Sequence, residues 1–151
     1  MIRHATIADL PACVKLACEF FSNFLLAHGV PVRPDDVERV AIMAITNNQM
    51  VVIDHDGEIN GVAAWIVDGH PANSKIKIFY EIIWCVKSKF KTDTLLLLRT
   101  MEREAKASGA AFMVMANMAT ETETQVRRIL TKNKYTFLET HYSKDLKQGG
   151  M

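Results

Sequence analysis

Glycine is missing from the middle of the chain: none occurs between Gly69 and Gly109. No position in that stretch therefore offers an approaching ligand a backbone free of side chain. Cysteine is scarce and scattered. Cys13, Cys18 and Cys85 are an odd number with no CxxC pair, which excludes a disulfide framework and predicts buried or half-buried thiols without chemistry. His4, His28, His55, His70 and His141 form no ligand pair at short spacing, so no metal site is expected. No apolar run approaches the ~18 residues that span a bilayer. The opening "MIRHATIADL" lacks the apolar centre of a signal peptide. Together these predict a cytoplasmic protein without a membrane partner. The net charge of +1 gives no reason to expect nucleic acid either.

What is present suits a soluble globular domain. Hydrophobic residues make up 49% and charged residues 23%, and a chain of this length buries a substantial core unaided. There is no repeat, low-complexity segment or internal linker. One domain is expected over 1–146, with 147–151 as a tail.

"MIRHA" reads as a first strand, and Thr6 or Asp9 as the cap of a helix with Pro11 in its first turn. Leu10, Val14, Ala17, Phe21 and Phe24 recur along that helix at helical spacing. "AHGVPVRP" ends it. A second helix, about Asp35 to Asn47, places Val37, Val40, Ala41, Ala44 and Ile45 on one face. "QMVVIDHDGEINGVAAWIV" reads as two strands around His55-Asp56-Gly57, and "DGHPANS" as a loop. "KIKIFYEIIWCV" is a long strand, apolar enough in its second half to be central. A helix from about Thr94 to Ser108 closes at Gly109. "AAFMVMA" is a buried strand, about Glu121 to Lys132 a polar helix, and "YTFLETHYSKDL" one or two closing strands. The order β-α-α-β-β-β-α-β-α-β predicts an α+β domain, a mixed central sheet flanked by about four helices.

Two places carry chemistry. Lys87, Lys89 and Lys91 alternate where the long strand ends, and Thr92-Asp93-Thr94 opens the next helix. A helix start offers unpaired N–H donors and the positive end of a dipole, a seat for an anion. The same residues also read as a solvated lysine edge leading into a helix capped by Thr92 or Thr94, with Asp93 favouring the dipole on its own. The second place is Glu81, a carboxylate in an apolar strand, where desolvation raises its pKa toward that of a useful base. It reads equally as a sheet-edge residue or one paired with a lysine.

The element order, with "IRHATIADLPACVKL", "EIIWCVKSKFKTDTLLLLRTMEREAKASGAAFMVMAN" and "RRILTKNKYTFLETHYSKDL", resembles the GNAT acyltransferase superfamily over nearly the whole chain. The Glu-x-x-Trp strand is similar to that of small GNAT-like proteins carried by tailed phages. The resemblance implies a GNAT-like fold and an N-acetyltransferase that moves an acetyl group from acetyl-CoA to a primary amine on a small molecule or a protein. It also implies Glu81 as a base acting through water, and a Val86 or Cys85 backbone N–H that polarises the thioester carbonyl. Lys91, Thr92 and Thr94 would lie around the pyrophosphate, and Asn117 on the pantetheine arm. A homo-oligomer is compatible with it.

The chain departs from the family pattern in places. Thr94 and Leu96 stand where the pyrophosphate loop keeps glycines, and Leu96 places a branched side chain where the family keeps space. Leu130 stands at the position of the acid Tyr, and Lys134 at that of a glycine. These departures support an alternative, a catalytically degenerate GNAT-fold binding or structural protein, for example in a phage virion or against a host protein.

Overall fold

The computed structural model describes residues 1–25, 29–87, 92–118 and 122–146. Five strands form one mixed sheet: β1 (Ile2–His4), β2 (Met50–His55), β3 (Glu58–His70), β4 (Asn73–Val86) and β5 (Phe112–Val114), in the spatial order β1-β2-β3-β4-β5. The first four pair antiparallel, while β5 runs parallel to β4. The helices are α1 (Leu10–Leu25), α2 (Pro34–Thr46), α3 (Asp93–Ala107) and α4 (Glu123–Lys132), with a 3-10 turn at Ile7–Asp9 before α1. The α+β architecture expected from the sequence is the one observed. Among the described residues no helix is long and apolar enough to cross a membrane.

Both sheet faces are covered, which is why β2 and β3 read as nearly continuous apolar runs. Successive side chains point to opposite faces. Val52, Val62, Ala64 and Ile83 thus pack under α1 and α2 with Cys13, Leu16, Ala41 and Ile45. Their neighbours Val51, Ala63 and Trp84, with Trp65 and Phe79, pack under α3 and α4 with Leu97, Leu98, Met101 and Leu130. Leu97, Leu98 and Met101 have no exposed surface, and each such burial stabilises by ~1.5–3 kcal/mol. Cys13 is buried, and Cys18 and Cys85 partly so. Burial pushes the Cys13 thiol up to about 12.

Turn chemistry sets the registers. Asp56 (φ 54°) and Gly57 (φ 89°) supply the two left-handed residues of a tight hairpin between β2 and β3, and Gly57 N–H donates to Asp54 Oδ1 at 2.7 Å. The expected loop "DGHPANS" is almost all strand: β3 runs to His70 and β4 begins at Asn73. Gly69 permits this closure, since a Cβ there would lie 2.8 Å from the Ser74 carbonyl oxygen. At the end of α3, Gly109 (φ 77°) donates to the Lys106 carbonyl and Ala110 N–H to that of Ala105, the paired bonds of a glycine C-cap.

Three further expectations fail. Val40 is 41% exposed, whereas Ala41, Ala44 and Ile45 are buried; the apolar face of α2 is narrower than its sequence suggests. β5 spans only Phe112–Val114 and is not buried, because it is the last strand of the sheet. The closing strand does not form: residues 135–146 enter no ladder, and 136–146 are exposed throughout. Alternating apolar residues favour a strand only when an edge accepts them, and here none does.

Arg3 ties the N-terminal end to the sheet. Its guanidinium forks onto both Asp9 oxygens (2.7 and 2.8 Å) and onto Asp54 Oδ2 (2.8 Å). Asp9 also accepts from the Thr6 N–H and hydroxyl. The Arg3 hydrogen bonds hold the Asp9 and Asp54 carboxyls below their usual range.

Candidate active site

β4 lies between β3 and β5, but its two neighbours cover different lengths of it. β3 pairs with it from Asn73 to Val86. β5 pairs with it only at Ile78, Tyr80 and the Phe79 between them. From Glu81 onward β5 no longer pairs with β4, and among the described residues the end of that ladder leaves a notch in the sheet on this side of β4.

A bulge lies at the same place. Ala64 faces Ile83 and Trp65 faces Glu81, so Ile82 is an extra residue on β4. Beyond it, the bond from Lys87 N–H to the Asn60 carbonyl (2.8 Å) sets the phase of the ladder. Antiparallel alternation then turns the Cys85 amide toward β3, and those of Trp84 and Val86 away from it, toward the notch. Of the two amides expected to polarise a carbonyl, the register therefore directs the Val86 N–H to the open side and that of Cys85 into the ladder. The Cys85 side chain packs with the core under α1 and α2, and burial raises its thiol well above the ordinary range.

Glu81 stands at the fork. Its Oε2 accepts a hydrogen bond from Ala116 N–H at 3.1 Å, so the carboxylate spans the gap that the backbones leave. Burial raises its pKa to about 7, and the Ala116 bond works in the opposite direction. β3 pairs with it on one side and no strand does on the other, and the bond to Ala116 holds the carboxylate. The sequence carries no signal for Ala116, whose contribution is a backbone group placed by the divergence of β5.

The start of α3 borders the other end of the notch. Trp84 Nε1 donates to the Thr94 carbonyl at 3.1 Å, and Leu97 and Leu98 pack in the same core as the indole. This contact seats the helix start on β4 and gives the Glu-x-x-Trp spacing a physical role that sequence reasoning missed. Thr92 occupies the N-cap position without a side-chain cap bond, so its hydroxyl does not consume a helix amide. Leu96 is 48% exposed. Lys91, expected at the pyrophosphate, and Lys89 lie outside the described residues.

The chain's own charges also gather here. Asp93 Oδ2 meets His55 Nε2 at 2.9 Å, and Lys87 Nζ meets Glu58 Oε1 at 2.8 Å. The first ties the β2–β3 hairpin to the start of α3, and the second ties it to the end of β4. Asn117 is exposed, and its side-chain amide donates to the Glu123 carbonyl at 3.3 Å, joining the end of β5 to α4. Leu130 is buried. Tyr135, the nearest phenol in sequence, donates to Glu102 Oε1 at 3.0 Å, and burial raises its pKa well above the ordinary value. It serves the core rather than the notch. Two surface clefts of about 560 and 610 Å³ lie elsewhere, one lined by Gln49, Lys77 and Glu104, the other along α1. Neither includes Glu81 or the start of α3.

No family model matches the chain, and no curated protein matches it. Solved structures do. A predicted acetyltransferase with acetyl-CoA from Clostridium acetobutylicum superposes with a TM-score of 0.74 at 15% identity, over 100% of this chain and 99% of the other. Glucosamine-6-phosphate N-acetyltransferase from Arabidopsis thaliana gives 0.69 at 13% identity, over 97% of each chain. A ribosomal-protein-alanine N-acetyltransferase from Brucella melitensis biovar Abortus gives 0.70 at 11% identity, over 97% of this chain and 99% of the other. At such identities the likeness shows the fold. The chain has the GNAT fold.

Proposed function

We propose that the protein is an N-acetyltransferase that uses acetyl-CoA and acts on a primary amine, of a small molecule or a protein. The observation that carries this reading is the notch: β4 and β5 part at Glu81, and a carboxyl with a pKa of about 7 stands at the fork. The cofactor supplies an acetyl group activated as a thioester. The residues present fit it in three respects. The Val86 N–H faces the notch, Thr92 leaves the first amides of α3 uncapped by its side chain, and the buried Trp84 fixes where that helix begins. Thr92, Thr94 and Lys91 are the side chains that would hold the pyrophosphate, and Asn117, which follows the Ala116 bonded to Glu81, would meet the pantetheine arm.

In this reading Glu81 takes a proton from the attacking amine, through a water molecule, so that the nitrogen presents a lone pair. A base whose pKa lies near the working pH is both deprotonated often enough and basic enough for that task. The Val86 amide stabilises charge that develops on the carbonyl oxygen. Leu130 cannot act as an acid and Tyr135 is held by Glu102, so the thiolate leaves unaided or takes its proton from water.

A second reading rests on two side-chain pairs, Asp93 with His55 at the start of α3 and Lys87 with Glu58 at the end of β4. Asp93 puts a carboxylate where a pyrophosphate would sit, and Lys87 is engaged by Glu58. With Leu96 at the position of a loop glycine, these features fit a module that kept the fold and binds or builds, as in a phage particle. Thermal shift with acetyl-CoA and CoA separates the two. A ligand that binds only the native state stabilises it by ~2.7 kcal/mol at a hundred times its Kd. A rise in Tm with either ligand supports the enzyme; no rise at millimolar concentration supports the module.

A further inference from the structure

The cleft of about 560 Å³ lies at the C-terminal end of α3, apart from the helix start on which the proposed cofactor seat depends. It exists because the β3–β4 hairpin outruns its helix. α3 ends at Ala107, and Gly109 turns the chain back until Ala111 N–H donates to the Lys77 carbonyl at 2.9 Å. β3 continues to His70 and β4 begins at Asn73, so the hairpin extends past the end of the helix. Trp65, Val67 and Gly69, alternate residues of β3, line the sheet side. The turn between α2 and β2 bounds the cleft elsewhere, held by the bond from Trp65 N–H to the Gln49 carbonyl at 3.0 Å. The polar groups here are unspent: among the described residues, the side chains of Asn47, Gln49, Ser74 and Lys77 make no hydrogen bond or ion pair. Opposite charges also share the space without pairing. Lys77 stands on β4 and Glu104 on α3, and Glu104 meets only His4 Nε2, at 3.5 Å.

We propose that this cleft binds a small zwitterion, a free α-amino acid, with its carboxylate on Lys77 and its ammonium on Glu104. The last turn of α3 adds the negative end of the helix dipole on the Glu104 side. A simple anion would meet Glu104 and that helix end, and a simple cation would meet Lys77. Only a ligand that carries both charges a few bonds apart matches both walls. The side-chain amides of Asn47 and Gln49 each offer donors to a carboxylate and an acceptor to an ammonium. The volume lies within the ~300–1,000 Å³ of small-molecule sites. The proposal needs neither Glu81 nor a cofactor, so it stands whether or not the protein transfers acetyl groups.

Backbone-amide NMR of the full chain, titrated with each common L-amino acid and with its N-acetyl and carboxamide derivatives, tests the site. The expected result is a saturable set of shifts at 47–49, 67–69, 74, 77 and 104–108 with at least one amino acid. Removing either ligand charge should weaken binding about tenfold or more. Lys77→Met should weaken the amino acid about tenfold and leave its carboxamide unchanged, and Glu104→Gln should weaken it likewise and leave the N-acetyl derivative unchanged. Neither side chain belongs to the core, so melting should report a folded domain in both variants. A change in the scaffold alone would not sort the ligands by the charge they lack. No shift at these positions with any amino acid at millimolar concentration overturns the inference. So do shifts that persist undiminished in both variants, or that acetate or methylamine alone reproduces.

Discussion

Glu81 and Ala116 are joined across the opening between β4 and β5: the Glu81 carboxylate accepts the Ala116 N–H at 3.1 Å just where the two strands stop pairing. The bond places the proposed base at the fork and gives it one fixed neighbour. It leaves the second carboxylate oxygen for a water or an amine.

Glu81→Gln keeps the size of the side chain and an acceptor for Ala116 while removing the charge. The folded-state pKa of about 7 exceeds the ordinary 4.5 of a glutamate, so the native state holds this proton more tightly than the unfolded chain. Stability from this group is therefore full below the unfolded value and falls as pH rises toward 7. The variant should be more stable than the wild type at about pH 8, by on the order of 1–3 kcal/mol, and equal to it near the ordinary carboxylate pKa. Acetyl transfer should rise with pH through about 7 in the wild type, and that limb should vanish in the variant with most of the rate. Unchanged turnover on a confirmed amine would remove Glu81 from the chemistry.

Trp84→Phe retains most of the packing against Leu97 and Leu98 and deletes the Nε1 bond to the Thr94 carbonyl. A loss of ~1 kcal/mol follows from one buried hydrogen bond, which is ~2–4 °C in Tm for a chain of this size. Because the bond seats the start of α3, CoA affinity should weaken as well. Calorimetry that finds the same affinity in both proteins would mean that the indole only stabilises the core.

Leu96→Gly opens the first turn of α3. The half-exposed leucine packs against little, so the cost is chiefly that of glycine in a helix, ~1 kcal/mol. CoA should bind about tenfold tighter if the side chain obstructs the seat. Equal or weaker binding would show that Leu96 stands clear of it.

Arg3→Leu should lower Tm by several degrees. It leaves Asp9 and Asp54 facing each other without their shared guanidinium. Both carboxyls sit below their ordinary pKa in the folded wild type, so the contribution of Arg3 is complete above the unfolded value and fades as pH falls through the folded ones. The wild-type and variant melting curves should therefore converge in acid. A constant gap across the titration would indicate lost packing rather than lost charge pairing.

The local elements were legible because local physics sets them. The helical spacing of α1, the extent of α3, the Asp56-Gly57 hairpin and the Gly109 cap follow from spacing and backbone preference, and the structure has each of these elements. Glu81 could be singled out from one fact of sequence, a carboxylate in an apolar strand, with no knowledge of what it touches. Val40, the loop at 68–74 and the closing strand were misread for a common reason. Apolar spacing and turn residues state what a segment can do, while burial depends on whether another element arrives to cover it.

Sequence alone determined the kinds of element, their order and the central place of β4, because residue chemistry and chain-neighbour geometry suffice for those. Tertiary structure alone decided where β5 leaves β4, which amides then face the notch, that Ala116 holds Glu81, that Trp84 seats α3 and that Arg3 joins Asp9 to Asp54. Each of these brings together groups about ten or more residues apart or a backbone atom no side chain announces. Only the packing of whole elements brings such groups within a hydrogen bond of one another.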